Sequence, residues 1–489
     1  MICLQEIKIR HGLFGLCAAF GMALPAQVVL SPTSNVSQAV NQNPENTTFV
    51  FQPGIYRLQS IQPKNGDIFT GQPGAILSGA NLLTSFTRSG NLWAATGQTQ
   101  QGQQNGFCDS DHPLCMDAED LFFDSRPLLH VASLSAVASG TWYFDYPNQT
   151  VYFADDPTGH TVEIGTARSA FWGSASNVTI QGLVIEKYAI PAQFGAIGDQ
   201  YPGANWTITN NEVRWNHGAG ITLGNGSQAI QNYVHNNGQK GIGGVGSNEL
   251  VQGNEIARNN FDGFDVTWEA GGAKFAQATG LVLRANNVHD NYGPGLWVDV
   301  DSTNTLIENN TVTSNYDGPG IQYEISYNAT IRNNTVRYNY VPNGGWWMWG
   351  SQILIQNSSG VEVYGNTVDV LPTRGNAIGI IHQNRGSGPY GPRVATSNYI
   401  HNNTIITRQS PQGATGVVAD WDVQNELANG NNRFDYDTYH VSDVYQYQWA
   451  WGTGFTWAGF QQIGQEVHGT IDNQVPPPGM EASFDNLAQ

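Results

Sequence analysis

Between Trp206 and Thr404 one short phrase keeps returning: an apolar start, an Asn, one further residue, then Val or Ile. It reads Ile208-Thr-Asn-Asn211-Glu-Val213, Ile230-Gln-Asn232-Tyr-Val234, Val282-Leu-Arg-Ala-Asn286-Asn-Val288 and Ile331-Arg-Asn-Asn334-Thr-Val336, and ends with Ile400-His-Asn-Asn403-Thr-Ile405. The asparagines Asn211, Asn232, Asn254, Asn286, Asn310, Asn334, Asn366 and Asn403 are spaced by 21, 22, 32, 24, 24, 32 and 37 residues. A period in the low twenties, made of short β-branched runs broken by Asn and Gly, predicts a solenoid of strands. Such an array grows in one dimension, so 489 residues need not divide into several domains. Asn tolerates left-handed backbone angles and bonds neighbouring amides, so the repeated asparagines read as turn scaffold without a function of their own.

The 57 glycines and the 12% charged residues suit many tight turns and few surface helices, an all-β chain. The net charge of −19, with 20 scattered basic residues, argues against a phosphate backbone as partner. The Gly-rich stretch 241–246 lacks the helix and Lys of a phosphate cradle, so no nucleotide cofactor is expected. Basic residues Lys8, Arg10 and His11, then the apolar run Leu13 to Leu24, read as a signal peptide over 1–26 and a secreted or periplasmic protein. No later segment is apolar and long enough to suggest a membrane span. Cys108 and Cys115 remain after Cys3 and Cys17 depart with the leader; in an oxidising compartment they are expected to form a disulfide. The alternative, a zinc site with His112, Asp109 and Asp111, has poor spacing.

The expected organisation is a β-helix entry over 27–96, then a loop and antiparallel β insertion over 97–170. Regular coils follow over 171–431, and a cap with a disordered tail over 432–489. Within each coil a second strand follows a Gly. Aligning Ile221, Ile242, Phe264, Leu296, Ile321 and Ile353 puts alternate residues on one outer face. That face then carries Asp265, Glu269, Asp299, Asp301 and Glu324 beside Trp297 and Trp268. Like charges on rungs about 4.8 Å apart destabilise a sheet unless something uses them. The overlong repeats place Lys274, the run Trp346-Trp347-Met348-Trp349, and Arg385 in loops, and solenoid insertions commonly build the binding face. Gly-flanked tryptophans suit sugar rings as well as they suit packing over a coil.

Asp299 and Glu324 fall at equivalent positions of neighbouring coils. Retaining glycosidases hold their two carboxyl groups about 5–5.5 Å apart, close to a rung spacing, and inverting ones about 6.5–9.5 Å. Mutual repulsion would raise one pKa and supply the acid. The Asn-Asn-x-Val coils resemble the single-stranded right-handed parallel β-helix proteins of the pectate-lyase-like superfamily over about residues 40 to 470. Gly295-Leu-Trp-Val-Asp299, followed one coil later by Gly320-Ile-Gln-Tyr-Glu324, resembles the β-xylosidase-type β-helix glycoside hydrolases. That resemblance implies Asp299 as nucleophile and Glu324 as acid/base. The Trp142-Tyr-Phe-Asp145 and Val151-Tyr-Phe153 segments are similar to that group's N-terminal region.

The sequence expectation is thus a secreted, monomeric, carbohydrate-active enzyme, a retaining glycoside hydrolase that needs no cofactor. Its catalytic pair is Asp299 and Glu324, and its substrate-binding set is Asp265, Trp268, Glu269, Lys274, Trp297, Asp301, Trp346, Trp347 and Trp349. One alternative is a polysaccharide lyase, with Lys274, Arg385 or Arg393 in play and Ca²⁺ held by the carboxylates. Another is a non-catalytic carbohydrate-binding surface protein.

Overall fold

The computed structural model describes residues 27–342, 348–371, 375–408, 415–419, 427, 429–445 and 447–478. Residues 1–26, the expected signal peptide, and the tryptophans Trp346 and Trp347 lie outside them. Among the described residues three long sheets of 13, 13 and 11 strands run side by side, and from Gly195–Ile197 onward the regular coils give one strand to each. Neighbouring rungs pair parallel and in register, as in Val288 with Val312 and Val312 with Val336. One apolar core threads the interior from Leu30 to Phe460. Coils begin at Gln27–Leu30 and continue through Thr438–Val441 to Thr470–Asp472, so the region 432–472 extends the solenoid instead of only capping it. A short helix, Trp457–Gln462, covers that end with Trp449, Trp457 and Phe460. No described helix is long and apolar enough to cross a membrane.

The antiparallel unit starts earlier than residue 97. Its two sheets take in Ala80–Leu83 and Leu92–Thr96 as well as Leu121–Phe123, Thr141–Asp145, Thr150–Phe153 and Val162–Gly165. It has its own apolar centre around Trp142, Phe144 and Phe153. Cys108 and Cys115 are disulfide-bonded in the loop between its strands Leu92–Thr96 and Leu121–Phe123.

The ladder asparagines do not themselves adopt left-handed angles. The residue before each one does, as at Asn210 (φ 54°), Ala285 (φ 53°) and Asn333 (φ 55°). That bend turns the following Asn inward, where it is buried. Asn286 Nδ2 donates to Asn310 Oδ1 at 3.0 Å and to the Val251 carbonyl at 2.9 Å, and Asn286 Oδ1 accepts from the Asn254 backbone N–H at 3.0 Å. A second ladder stacks Asn216, Asn237, Asn259, Asn291, Asn315 and Asn339 and ends on Gln352. The strand-leading glycines make room for it. A Cβ on Gly295 would come within 2.8 Å of Asn315 Nδ2 and 2.6 Å of Val312 Cγ1.

The first ladder ends on an acid. Asp437 Oδ1 accepts from Asn403 N–H at 2.6 Å and Asn403 Nδ2 at 2.9 Å, while Oδ2 is buried without a hydrogen-bond partner. Burial, and then the neighbouring Glu466, push the Asp437 carboxyl well above its ordinary range. Folding therefore takes up protons at this pair. Its contribution is fully present below the unfolded carboxylate range and is lost as pH rises toward the folded value. Asp437→Asn keeps the accepting oxygen, continues the ladder and gives Glu466 a donor. It is expected to stabilise the protein at pH 7 by about 1–3 kcal/mol, with the gain closing toward pH 4. Thermal unfolding across that range checks this, and an unchanged or lower melting temperature at pH 7 counts against it.

Candidate functional site

Five strands of the third sheet build the site: β1 (Lys240–Gly244), β2 (Gly271–Ala276), β3 (Leu296–Asp299), β4 (Ile321–Glu324) and β5 (Ser351–Gln356). Ile242, Ala273, Leu296, Ile321 and Ile353 share one register position. Ala273, not Phe264, is thus the β2 member. The binary pattern favours Phe over Ala, but the Gly271-Gly272 pair marks the strand start as Gly295 and Gly320 do. Phe264 instead lies in a loop, bridged to Cys108 and packed with Cys115 and Ala270.

This correction dissolves the expected row of carboxylates. One outward column now reads Gly243, Lys274, Trp297, Gln322 and Leu354, and the other passes through Ala276, Asp299, Glu324 and Gln356. Asp265 leaves the face and caps its own turn, accepting from Thr267 N–H at 2.8 Å and Thr267 Oγ1 at 2.7 Å. Trp268 packs edge-on against Phe107 at 5.4 Å and offers only its backbone carbonyl, which takes Lys274 Nζ at 2.9 Å. Asp301 is held by both Arg393 Nε (3.0 Å) and Arg393 Nη2 (2.7 Å), a structural clamp. Glu269 sits between Lys240 (2.5 Å) and Lys274 (3.5 Å). Burial works against its ionisation, but the two ammonium groups outweigh it and hold the carboxyl below its ordinary range.

The structure thus brings together a row of mixed charge, Lys240, Glu269, Lys274, Asp299, Glu324 and Arg385, in which Asp299 and Glu324 are the one like-charged neighbouring pair. Lys274 Nζ is 3.0 Å from Asp299 Oδ2 and 3.3 Å from the centroid of the Trp297 ring, so one ammonium bridges a carboxylate and an indole face. Asp299 Oδ1 accepts from the Val300 N–H at 2.7 Å. Glu324, one rung on, accepts from Gln322 Nε2 at 2.9 Å through Oε2 and from Arg385 Nη1 at 3.2 Å through Oε1. Both carboxylates are buried, 6% and 7% exposed, although they lie on the outer face of the sheet. Burial first, and the Asp299 charge second, raise the Glu324 carboxyl above its ordinary range, against the opposing pull of Arg385 and Lys274.

Glu324, Trp297, Gln322, Gln356 and Arg385 line a cleft of about 500 Å³ that Thr267, Pro319 and Trp349 enclose. On the other side of Lys274 a depression of about 380 Å³ is lined by Lys240, Glu269, Thr222 and Tyr201. The exposed Tyr201 ring gives this depression an aromatic surface. Trp346 and Trp347 lie outside the described residues. Gln322 and Gln356 join the site from outside the expected binding set, and Arg385, expected in a loop of the binding face, meets Glu324 there. Gln322 and Gln356 were legible as outward positions in the aligned strands. Arg385 arrives from a loop 61 residues beyond Glu324, where periodicity is silent.

Residues 200–368 match the model of the right-handed β-helix region. No curated protein sequence matches the chain. Among solved structures, XylC in complex with xylose is similar at a TM-score of 0.71 and 15% identity, over 92% of this chain and 86% of that one. A glycoside hydrolase structure gives a TM-score of 0.46 at 11% identity over 77% and 96%. The A-module of the Azotobacter vinelandii mannuronan C-5 epimerase AlgE6 gives 0.46 at 14% identity over 91% and 94%. The three parallel sheets, the stacked Asn ladders and the likeness over nearly the whole chain make this protein a right-handed parallel β-helix.

Proposed function

We propose that the protein is a retaining glycoside hydrolase in which Asp299 is the nucleophile and Glu324 the acid/base. The observation that carries the reading is the placement of two buried carboxylates one rung apart with opposite support. Asp299 has a counter-charge in Lys274 and a backbone N–H, and Glu324 is raised toward its protonated form. A rung of about 4.8 Å matches the separation of about 5–5.5 Å that lets one carboxylate attack the anomeric carbon directly. Glu324 then protonates the leaving oxygen and afterwards deprotonates the water that releases the sugar. Trp297 and Trp349 supply apolar walls, while Gln322, Gln356 and Arg385 supply donors for hydroxyl groups. XylC was solved with xylose bound, which favours a sugar ligand here and makes xylosides the first substrates to try.

A lyase is less well supported. Lys274 Nζ faces two carboxylates and a carbonyl, the surroundings of a charged donor and not of a base. The test is the configuration of the first product, followed by NMR during hydrolysis of a glycoside panel. Retention is the expected result. Inversion would overturn the roles of Asp299 and Glu324, and an unsaturated product would establish the lyase.

A further inference from the structure

A second cluster of chemistry-bearing side chains lies away from the cleft, where three separate segments meet. Asp120 comes from the end of the disulfide loop, His217 from the entry to the strand Ala219–Leu223, and Asp262 from the insertion ahead of β2. His217 Nδ1 is 3.2 Å from Asp120 Oδ2 and 3.1 Å from Asp262 Oδ2, and one ligand atom from each residue lies within 4.8 Å of the others. His217 is 1% exposed and lines a cavity of about 270 Å³, and its Nε2 has no hydrogen-bond partner. His112, Asp117 and His130 line the same cavity.

Two carboxylates, Asp120 buried and Asp262 partly buried, here face one nitrogen. A single N–H can serve one of them, and Asp262 Oδ2 is left buried without a hydrogen-bond partner. A dication answers both carboxylates at once. In a tetrahedral site with bonds of about 2.0–2.1 Å the ligand atoms stand about 3.3 Å apart. The observed separations between nitrogen and oxygen, 3.1–3.3 Å, are close to that edge. We propose that Asp120, His217 and Asp262 form a binding site for a divalent transition cation of the Zn²⁺ or Mn²⁺ class, with water from the cavity completing the shell. One nitrogen with two carboxylate oxygens suits those ions, whereas Ca²⁺ and Mg²⁺ take all-oxygen sets.

The location assigns the ion a positioning role. It ties the disulfide loop and a coil to the segment that ends in Val266, Thr267 and Trp268. Val266 and Thr267 line the cleft, and the Trp268 carbonyl holds Lys274. The site stands on its own geometry and does not depend on the reaction proposed above.

The test uses tag-free, full-length protein, stripped with EDTA and dialysed, then titrated with Zn²⁺ and Mn²⁺ by calorimetry alongside elemental analysis of the unstripped protein. The expected result is about one tightly bound ion per chain and a higher unfolding temperature when it is bound. His217→Gln and Asp262→Asn should each abolish both effects. Asp262→Asn preserves the side-chain shape and keeps the test decisive if the His217 variant fails to fold. Wild-type protein that binds neither ion, or binding that survives in both variants, overturns the proposal. So does an imidazole that still carries hydrogen on both ring nitrogens, seen by ¹⁵N NMR in excess Zn²⁺.

Discussion

Asp299→Ala is expected to lower kcat/KM by about 10⁴–10⁶-fold, the range seen when members of a nucleophilic constellation are removed. The size of the loss follows from what replaces the attack. With Asp299 absent, water would have to reach the anomeric carbon from a face walled by Trp297 and Lys274, and Glu324 is placed to activate the leaving oxygen instead. The ammonium of Lys274 still has Glu269 at 3.5 Å and the Trp268 carbonyl at 2.9 Å, so the variant leaves no orphaned cation and should fold. The space vacated admits a small anion. Added azide should therefore restore turnover of a substrate with a good leaving group and yield a glycosyl azide of inverted configuration. Steady-state kinetics with and without azide, with NMR of the product, decides the matter. A variant that retains more than a tenth of wild-type activity without azide rules out Asp299 as nucleophile.

The parts of this site that were legible in the sequence are those that obey the repeat. Asp299 and Glu324 follow glycine-led strands of equal length, so counting from Gly295 and Gly320 places them on adjacent rungs. The same counting failed one coil earlier, because Phe264 imitates an inward strand residue better than Ala273 does. That slip moved Asp265 and Glu269 onto the face and left Lys274 off the strand. The pattern therefore predicts an acidic row where the fold sets lysines among the carboxylates. The partners of the loop arginines escaped for another reason. Arg385 and Arg393 reach Glu324 and Asp301 across 61 and 92 residues, contacts that no local periodicity encodes. The cluster of Asp120, His217 and Asp262 was hidden in the same way, since His217 and Asp120 are 97 residues apart and belong to different structural units. The Asn ladders were half visible: their spacing declared a scaffold, while the inward turn that stacks them depends on the left-handed residue before each Asn.

Glu324→Gln is expected to separate the two halves of the reaction. The amide keeps the size of the side chain and, through its one oxygen, the hydrogen bond from Arg385, while its NH2 is served by Gln322 once that side-chain amide turns its oxygen inward, so binding should survive and KM should change little. The loss falls on protonation of the leaving oxygen. For substrates whose leaving group needs a proton, kcat/KM should fall by about 10²–10⁴-fold, the usual contribution of a positioned general acid. For an aryl glycoside with an acidic phenol the fall should be far smaller, because that leaving group departs unprotonated. The pH profile supplies a second readout. In the wild type Glu324 must be protonated to act first, and burial together with the Asp299 charge raises its carboxyl. Activity should therefore persist above the ordinary carboxylate range and decline as pH rises through the raised value. An amide has no proton to lose, so the variant's residual activity on the activated substrate should show no such alkaline limb. A uniform loss across leaving groups, with the alkaline limb intact, would assign the acid to another residue and leave Glu324 a positioning role beside Arg385.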